Sequence, residues 1–260
     1  MSSAKIQGEL WGKEARDWAE LQEPQHRPLW EAMLNECNAD SGTRFLDAGC
    51  GGGGASVLAK QRGAKVSGID AAASLIEVAR ERVPDGDFHV GDIQELPFDD
   101  QTFDAVIAAS SLQYAEDRVA SLREMKRVSV PDGRVVVGLW SVPEKVEYRV
   151  IFEAVRNALP EPPPGKGPFE LSAPGVLEDL IQQADMNVIA NGEARCPFDY
   201  PDLDTFWRAN LSSGGLRVAL QSVSEVEMEK AVKDAVLPYR AGDGSIHMEN
   251  WFRYVVASPK

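Results

Sequence analysis

Between residues 44 and 140 the chain alternates short apolar runs with longer stretches in which apolar residues recur every three or four positions. The runs 44–48, 65–69, 87–90, 103–109 and 134–140 have the length and the β-branched content of strands. The intervening segments 55–61, 73–82 and 117–128 have the spacing of helices, with Gly63 and Pro84 as stops and Pro131-Asp132-Gly133 as a turn. Strands and helices in alternation imply a parallel sheet covered on both faces. Runs 103–109 and 134–140 are apolar almost throughout, as expected of strands buried on both sides.

Outside this block the rhythm loosens. Residues 13–37 read as helical with a break at Pro24 to Pro28. After Trp140 the pattern predicts a helix over 144–159, a loop at Pro160 to Gly165 and a helix over 174–185. An extended segment over 187–199 follows, then mostly helix over 202–237 interrupted at Gly214-Gly215, and a single final strand over 246–257. The prefix precedes the first strand, so the sheet topology does not require it. It is expected to close over a site at the top of the sheet, and removal of residues 1–30 is expected to leave a folded core.

Composition narrows the classes. The chain has 260 residues, 43% of them hydrophobic, which is globular and ample for a sizeable core. With 27 basic and 41 acidic side chains the net charge is −14, which argues against a nucleic-acid partner, and no local basic patch offsets it. No run has the length of a membrane span. The first thirty residues carry no export signal, so a cytoplasmic location is expected. The three cysteines, Cys37, Cys50 and Cys196, are then reduced thiols, and no metal-binding cluster is visible in the sequence.

The glycine loop between the first strand and the next helix carries the chemistry. Gly49-x-Gly51-x-x-Gly54 lets the backbone turn tightly and brings a ligand close to the amides of a helix start. Alone, it fits a dinucleotide site as well as an adenosyl site, and Asp70 at the end of the second strand suits the ribose of either. Asp47, two residues before the first glycine, favours the second. A carboxylate there repels a pyrophosphate and attracts an ammonium or a sulfonium. Asp92, after the third strand, can accept a hydrogen bond from an adenine amino group, and no second nucleotide half follows.

At this point Leu46-Asp47-Ala48-Gly49-Cys50-Gly51-Gly52-Gly53 resembles the first motif of class I S-adenosylmethionine-dependent methyltransferases. Val66 to Asp70, Gly91 to Phe98, Phe103 to Val106, Ser111 to Tyr114, Met125 to Val128 and Pro131 to Arg134 resemble the family's later motifs in order, over roughly residues 40 to 140. The chain looks most similar to the small-molecule group that includes quinone and natural-product enzymes. The resemblance implies an α/β, Rossmann-like, doubly wound, mostly parallel seven-stranded sheet whose last strand is antiparallel, with helical lid and cap segments. It implies one domain over 1–260: a lid at 1–40, a cofactor-binding core at 41–140, substrate-cap insertions at 141–172 and 200–240, and 173–199 with 245–258 completing the sheet.

The resemblance also assigns roles. Gly49 and Gly51 pack under the methionine part of S-adenosylmethionine, Asp47 sits near its amino group, and Asp70 holds the ribose hydroxyls beside Ala71. Asp92 meets the adenine amine with Ile93 on the ring face, and Ser110 lies near the cofactor. S-adenosylhomocysteine is the product. No general base can be named; His26 is the weak candidate. Trp11, Trp18, Tyr114 and Trp207 are expected in an aromatic pocket for a small organic acceptor, together with Tyr148, Phe152, Phe169, Phe198, Phe206 and Tyr239. The expected assembly is a monomer or weak homodimer. Competing readings are a methyltransferase on RNA or protein, an NAD-dependent oxidoreductase or epimerase, and a non-catalytic adenosyl-binding module. Fold alone fixes neither the acceptor nor whether oxygen, nitrogen or carbon is methylated.

Overall fold

In the computed structural model, which describes residues 3–162 and 167–260, the chain opens with α1 (Ser3–Trp11) and α2 (Ala15–Asp17). A π turn (Trp18–Gln22) and a 3-10 turn (Glu23–His26) lead into α3 (Arg27–Glu36). The alternating block forms β1 (Arg44–Ala48), α4 (Gly54–Gln61), β2 (Lys65–Asp70), α5 (Ala73–Arg82), β3 (Asp87–Val90), β4 (Phe103–Ala109), α6 (Arg118–Val128) and β5 (Ser129–Trp140). Then come α7 (Arg149–Ala158), α8 (Val176–Gln183), β6 (Met186–Arg195), β7 (Phe198–Tyr200), α9 (Leu203–Leu211), α10 (Gly214–Ala219), α11 (Glu225–Val236), β8 (Ile246–Met248) and β9 (Trp251–Pro259).

Seven strands form one sheet in the order β3-β2-β1-β4-β5-β9-β6. β1 to β5 are mutually parallel, and β9 runs antiparallel to both neighbours, β5 and β6. Period-two alternation sends Phe45, Ile107 and Val136 into the core under α3, α4 and α5, and Leu46, Val106 and Val137 into the core under α6 and α8. The order reverses between β1 and β4, and ligand crevices open at such a switch point beyond the carboxyl ends of the strands.

Three expectations are corrected. Pro131-Asp132-Gly133 does not stand before the strand; it is a bulge within β5, whose pairing to β4 jumps from Ser129 to Arg134. The final strand is two. β8 pairs with β7 in a separate two-stranded sheet, and the chain breaks at the fully buried Asn250, whose Oδ1 accepts from Tyr148 N at 2.9 Å. The expected break at Pro24 to Pro28 is present as a 3-10 turn between the π turn and α3, but with each proline in the first turn of its segment, where its missing N–H costs nothing, it does not end the helical run. Nor is the prefix wholly dispensable: Leu29, Met33 and Leu34 of α3 are fully buried against the sheet, so truncation beyond about residue 26 removes core. Residues 163–165 of the predicted proline loop lie outside the described residues.

Candidate cofactor and acceptor site

β1 ends at Ala48 and the chain turns through Gly49, Gly51 and Gly53, all with positive φ. A side chain at Gly49 would run into Ser111, and a Cβ at Gly51 would meet Glu23 Oε1 at 2.7 Å. The loop is pinned to β2: Gly49 N and Cys50 N donate to Ile69 O (2.8 and 2.9 Å), and Gly51 N donates to Asp70 Oδ2 at 2.9 Å. Asp70 Oδ1 accepts from Ala72 N at 2.9 Å.

Three carboxyl groups surround this loop. Asp47 is 1% exposed and accepts from Ser56 Oγ at 2.8 Å. Burial pushes it up to about 7, and the nearby charges of Glu23 and Asp70 push the same way. Glu23, 3% exposed, is raised to about 7 by burial, although Arg82 and Gly52 N–H pull it down. Its Oε1 accepts from Gly52 N at 2.6 Å and its Oε2 from Arg82 Nη1 at 2.7 Å. Arg82 also donates to Gly52 O (3.0 Å) and Ala19 O (2.7 Å), so one guanidinium ties the prefix to the loop. Asp70 is likewise raised by burial.

Asp92 follows β3. Its Oδ1 accepts from Gln94 N at 2.9 Å, and the Gln94 amide, 3.0–3.1 Å from both oxygens, orients it. α1 closes the adjoining wall so tightly that a side chain at Gly8 would strike Ala71 O. Ser3 Oγ donates to Tyr114 O at 2.8 Å. Ser110 holds a left-handed backbone (φ 57°) at the end of β4, a strain characteristic of functional sites. Its Oγ and Gln113 Oε1 are shielded and without a hydrogen-bond partner among the described residues. Leaving such groups unmade costs about 1–3 kcal/mol each.

One cavity of about 790 Å³ joins these features. Asp47, Gly49, Gly51, Asp70, Ala71, Asp92, Ile93 and Ser110 line it, as do Trp11, Trp18, Tyr114 and His26. Trp207 does not: it is buried in the main apolar core, on the inner face of α9. Phe198 and Phe206 are fully buried and off the wall as well. The far half of the cavity is aromatic. Trp140 stacks on Tyr148 (5.7 Å), and Phe152 meets Trp140, Tyr148 and Phe169 edge-on at 5.2–5.6 Å. Trp11 and Trp18 close the near side edge to face at 4.6 Å.

His26 sits among Trp30, Trp140, Phe198 and Phe252, with Nδ1 3.1 Å from Gln22 O. Burial lowers it to about 4. A ring that refuses a proton until pH 4 is a poor general base at neutral pH. Sequence reasoning missed Glu23, Arg82, Trp140 and Asn210. Glu23 and Arg82 lie in helical segments where acidic and basic residues are ordinary, and nothing in their spacing joins them.

Comparison with known proteins adds three findings. Residues 46–137 match the model of a family described as methyltransferase domain. A demethylmenaquinone methyltransferase of Renibacterium salmoninarum is 34% identical over 129 residues, 49% of this chain and 54% of that protein. A malonyl-[acyl-carrier protein] O-methyltransferase of Serratia marcescens is 33% identical over 110 residues, 42% of this chain and 43% of that protein. The chain thus spans about half the length of these relatives. Among solved structures, the Bacillus subtilis YcgJ protein superposes with a TM-score of 0.60 at 17% identity, covering 90% of this chain and 99% of that one. The [4+2]-cyclase SpnF gives 0.57 at 21% identity, covering 89% and 80%. At these identities the structural likeness speaks for the fold.

Proposed function

This chain carries a methyltransferase domain at residues 46–137, and from that premise we propose that it transfers a methyl group from S-adenosylmethionine to a small, largely apolar organic acceptor. The observation that carries the reading is the set of three buried carboxyl groups, Glu23, Asp47 and Asp70, around a glycine loop with one guanidinium among them. Such a site favours a cation. The Gly52 N–H, the kind of amide that grips a pyrophosphate in a dinucleotide site, already serves Glu23 Oε1. A phosphate brought to 4 Å from any of these carboxylates is repelled by about 4 kcal/mol per charge pair at an effective dielectric of 20. An NAD-dependent activity is disfavoured on that ground.

The donor set therefore fits S-adenosylmethionine: Asp47 for its amino group, Asp70 for the ribose hydroxyls, Asp92 for the adenine amine, with Ala71 and Ile93 against the adenosine and Gly49, Gly51 and Ser110 beside the methionine part. When bound, the cofactor supplies an electrophilic methyl group on sulfur and leaves as S-adenosylhomocysteine. The protein's task is to hold the acceptor in line and keep water out, and orientation of this kind supplies up to about 7–11 kcal/mol of a barrier. α1 and residues 15–26 act as the lid, 41–140 as the cofactor core, and 141–172 with 200–240 as the acceptor cap of one domain. The apolar walls and the net negative charge favour a small molecule over RNA. The test is transfer of labelled methyl from S-adenosylmethionine into fractionated extracts. Label is expected in the small organic fraction. Label in RNA or protein alone contradicts the acceptor class, and cofactor binding with no transfer to any fraction leaves a binding module.

A further inference from the structure

Two side chains in the aromatic half of the cavity, His26 and Tyr148, present hydrogen-bond acceptors among packed rings. His26 Nδ1 contacts a carbonyl, Gln22 O, so Nδ1 carries the proton and Nε2 keeps its lone pair. Tyr148 presents the second. Its hydroxyl donates to Asn210 Oδ1 at 2.5 Å, and Asn210 Nδ2 donates to Phe206 O at 2.8 Å. The second bond fixes which end of the amide faces the tyrosine, so the phenol proton is committed and the phenol oxygen offers only lone pairs. His26, Tyr148 and Asn210 all line the cavity. The two rings flank the same neighbours: His26 lies 6.4 Å from Trp140 and 5.3 Å from Phe198, and Tyr148 lies 5.7 and 5.4 Å from them.

We propose that His26 Nε2 and Tyr148 Oη form an accepting pair that selects acceptors bearing a neutral hydroxyl or N–H on a flat apolar body. This rests on the reading of the aromatic half as the acceptor site. The pair positions the acceptor rather than deprotonating it. Burial keeps His26 uncharged across neutral pH and raises the Tyr148 phenol far above its ordinary range, so neither partner changes its hydrogen-bonding sense. A methyl-bearing or carboxylate-bearing analogue finds no donor in the pair: the first leaves both lone pairs unmet, and the second sets its own negatively charged lone pairs against them.

The experiment compares 2-naphthol with 2-methylnaphthalene, equal in shape and differing in the donor, by calorimetric titration of the full chain with and without S-adenosylhomocysteine. The wild-type chain is expected to bind 2-naphthol about tenfold or more tightly. Tyr148→Phe and His26→Phe should each cut that preference severalfold, and the double change should reverse it in favour of the methyl compound. Because Tyr148→Phe strands Asn210 Oδ1, a Tyr148→Phe/Asn210→Leu chain, which removes the stranded atom and keeps His26, should likewise cut the preference severalfold. Equal affinity for the two probes in the wild type, a preference unmoved in the variants, or no binding of either probe overturns the proposal. S-adenosylhomocysteine binding is read separately: its absence counts against the cofactor assignment and leaves the probe ratio, measured without it, to decide this one.

Discussion

At the near end of the cavity most of the polar groups come from a short stretch of chain. Asp47, the glycine loop and Asp70 lie within twenty-four residues, and two strands and a turn place them. At the far end the wall is drawn from residues as distant as His26, Trp140, Tyr148 and Asn210, and no single element holds them. The near end is charged, hydrogen-bonded to backbone amides and tied to the parallel sheet. The far end is mainly aromatic and held by ring packing, with the Tyr148–Asn210 hydrogen bond inside it. The contrast separates what a common cofactor demands of a chain from what an individual acceptor demands. One end can stay fixed while the other is rebuilt, because different elements of the chain supply them.

The largest expected effect strikes the latch that ties the prefix to the glycine loop at the near end. Arg82 holds Glu23 of the prefix against Gly52 of the loop. Arg82→Ala leaves Glu23 buried and facing two other carboxyl groups, at a cost of about 3–5 kcal/mol when it is ionised. For a chain of this size that lowers the melting midpoint by roughly 6–20 °C. The sign with pH follows from Glu23 being raised to about 7. A carboxyl with a raised folded value binds its proton more tightly when folded, so its contribution to stability falls as pH climbs from the ordinary carboxylate range towards 7. The Arg82→Ala loss should therefore be larger at pH 8 than at pH 6, where Glu23 takes up a proton. Melting curves showing the same small loss at both values would mean that Arg82 does not hold the latch.

A smaller pair of effects tests whether the ends are separable. Asp70→Ala removes a carboxylate that accepts from Gly51 and Ala72 amides. It should weaken S-adenosylhomocysteine about tenfold or more and leave 2-naphthol binding within twofold. Phe152→Ala, which opens the ring cluster of Trp140, Tyr148 and Phe169, should do the reverse, costing the naphthol about five- to tenfold. Titrations in which each change weakens both ligands equally would join the two ends into one cooperative unit.

The same contrast explains how much was legible in advance. The sheet and the near end were readable because their signals are local: apolar runs for β4 and β5, glycines where φ must be positive, an acid two residues before the first of them. Trp11, Trp18 and Tyr114 were also found on the wall, since α1, the π turn and the turn after β4 sit beside the loop. Trp207 was misplaced because an aromatic residue in an amphipathic helix looks the same whether its inner face meets a cavity or, as in α9, the core. The split between β8 and β9 was hidden because one buried Asn250, serving Tyr148 N from another segment, ends the alternation without a glycine or proline. Glu23 and Arg82 meet across 59 residues, a distance over which no sequence period speaks.

The central claim is that the near end is built to receive a positively charged ligand. Calorimetric titration of the full chain with S-adenosylmethionine and with NADH, at pH 6.5 and pH 8, tests it most directly. Asp47 and Glu23 are raised to about 7 and His26 is lowered to about 4, so across this interval the two carboxyl groups lose protons while His26 stays neutral. A cation binds their ionised forms. S-adenosylmethionine is therefore predicted to bind severalfold more tightly at pH 8, with protons released on binding at pH 6.5 and the pH effect reduced in Asp47→Asn. NADH is predicted to bind weakly at pH 6.5 and more weakly still at pH 8. Tight NADH binding, or S-adenosylmethionine affinity that falls as pH rises, would contradict the account.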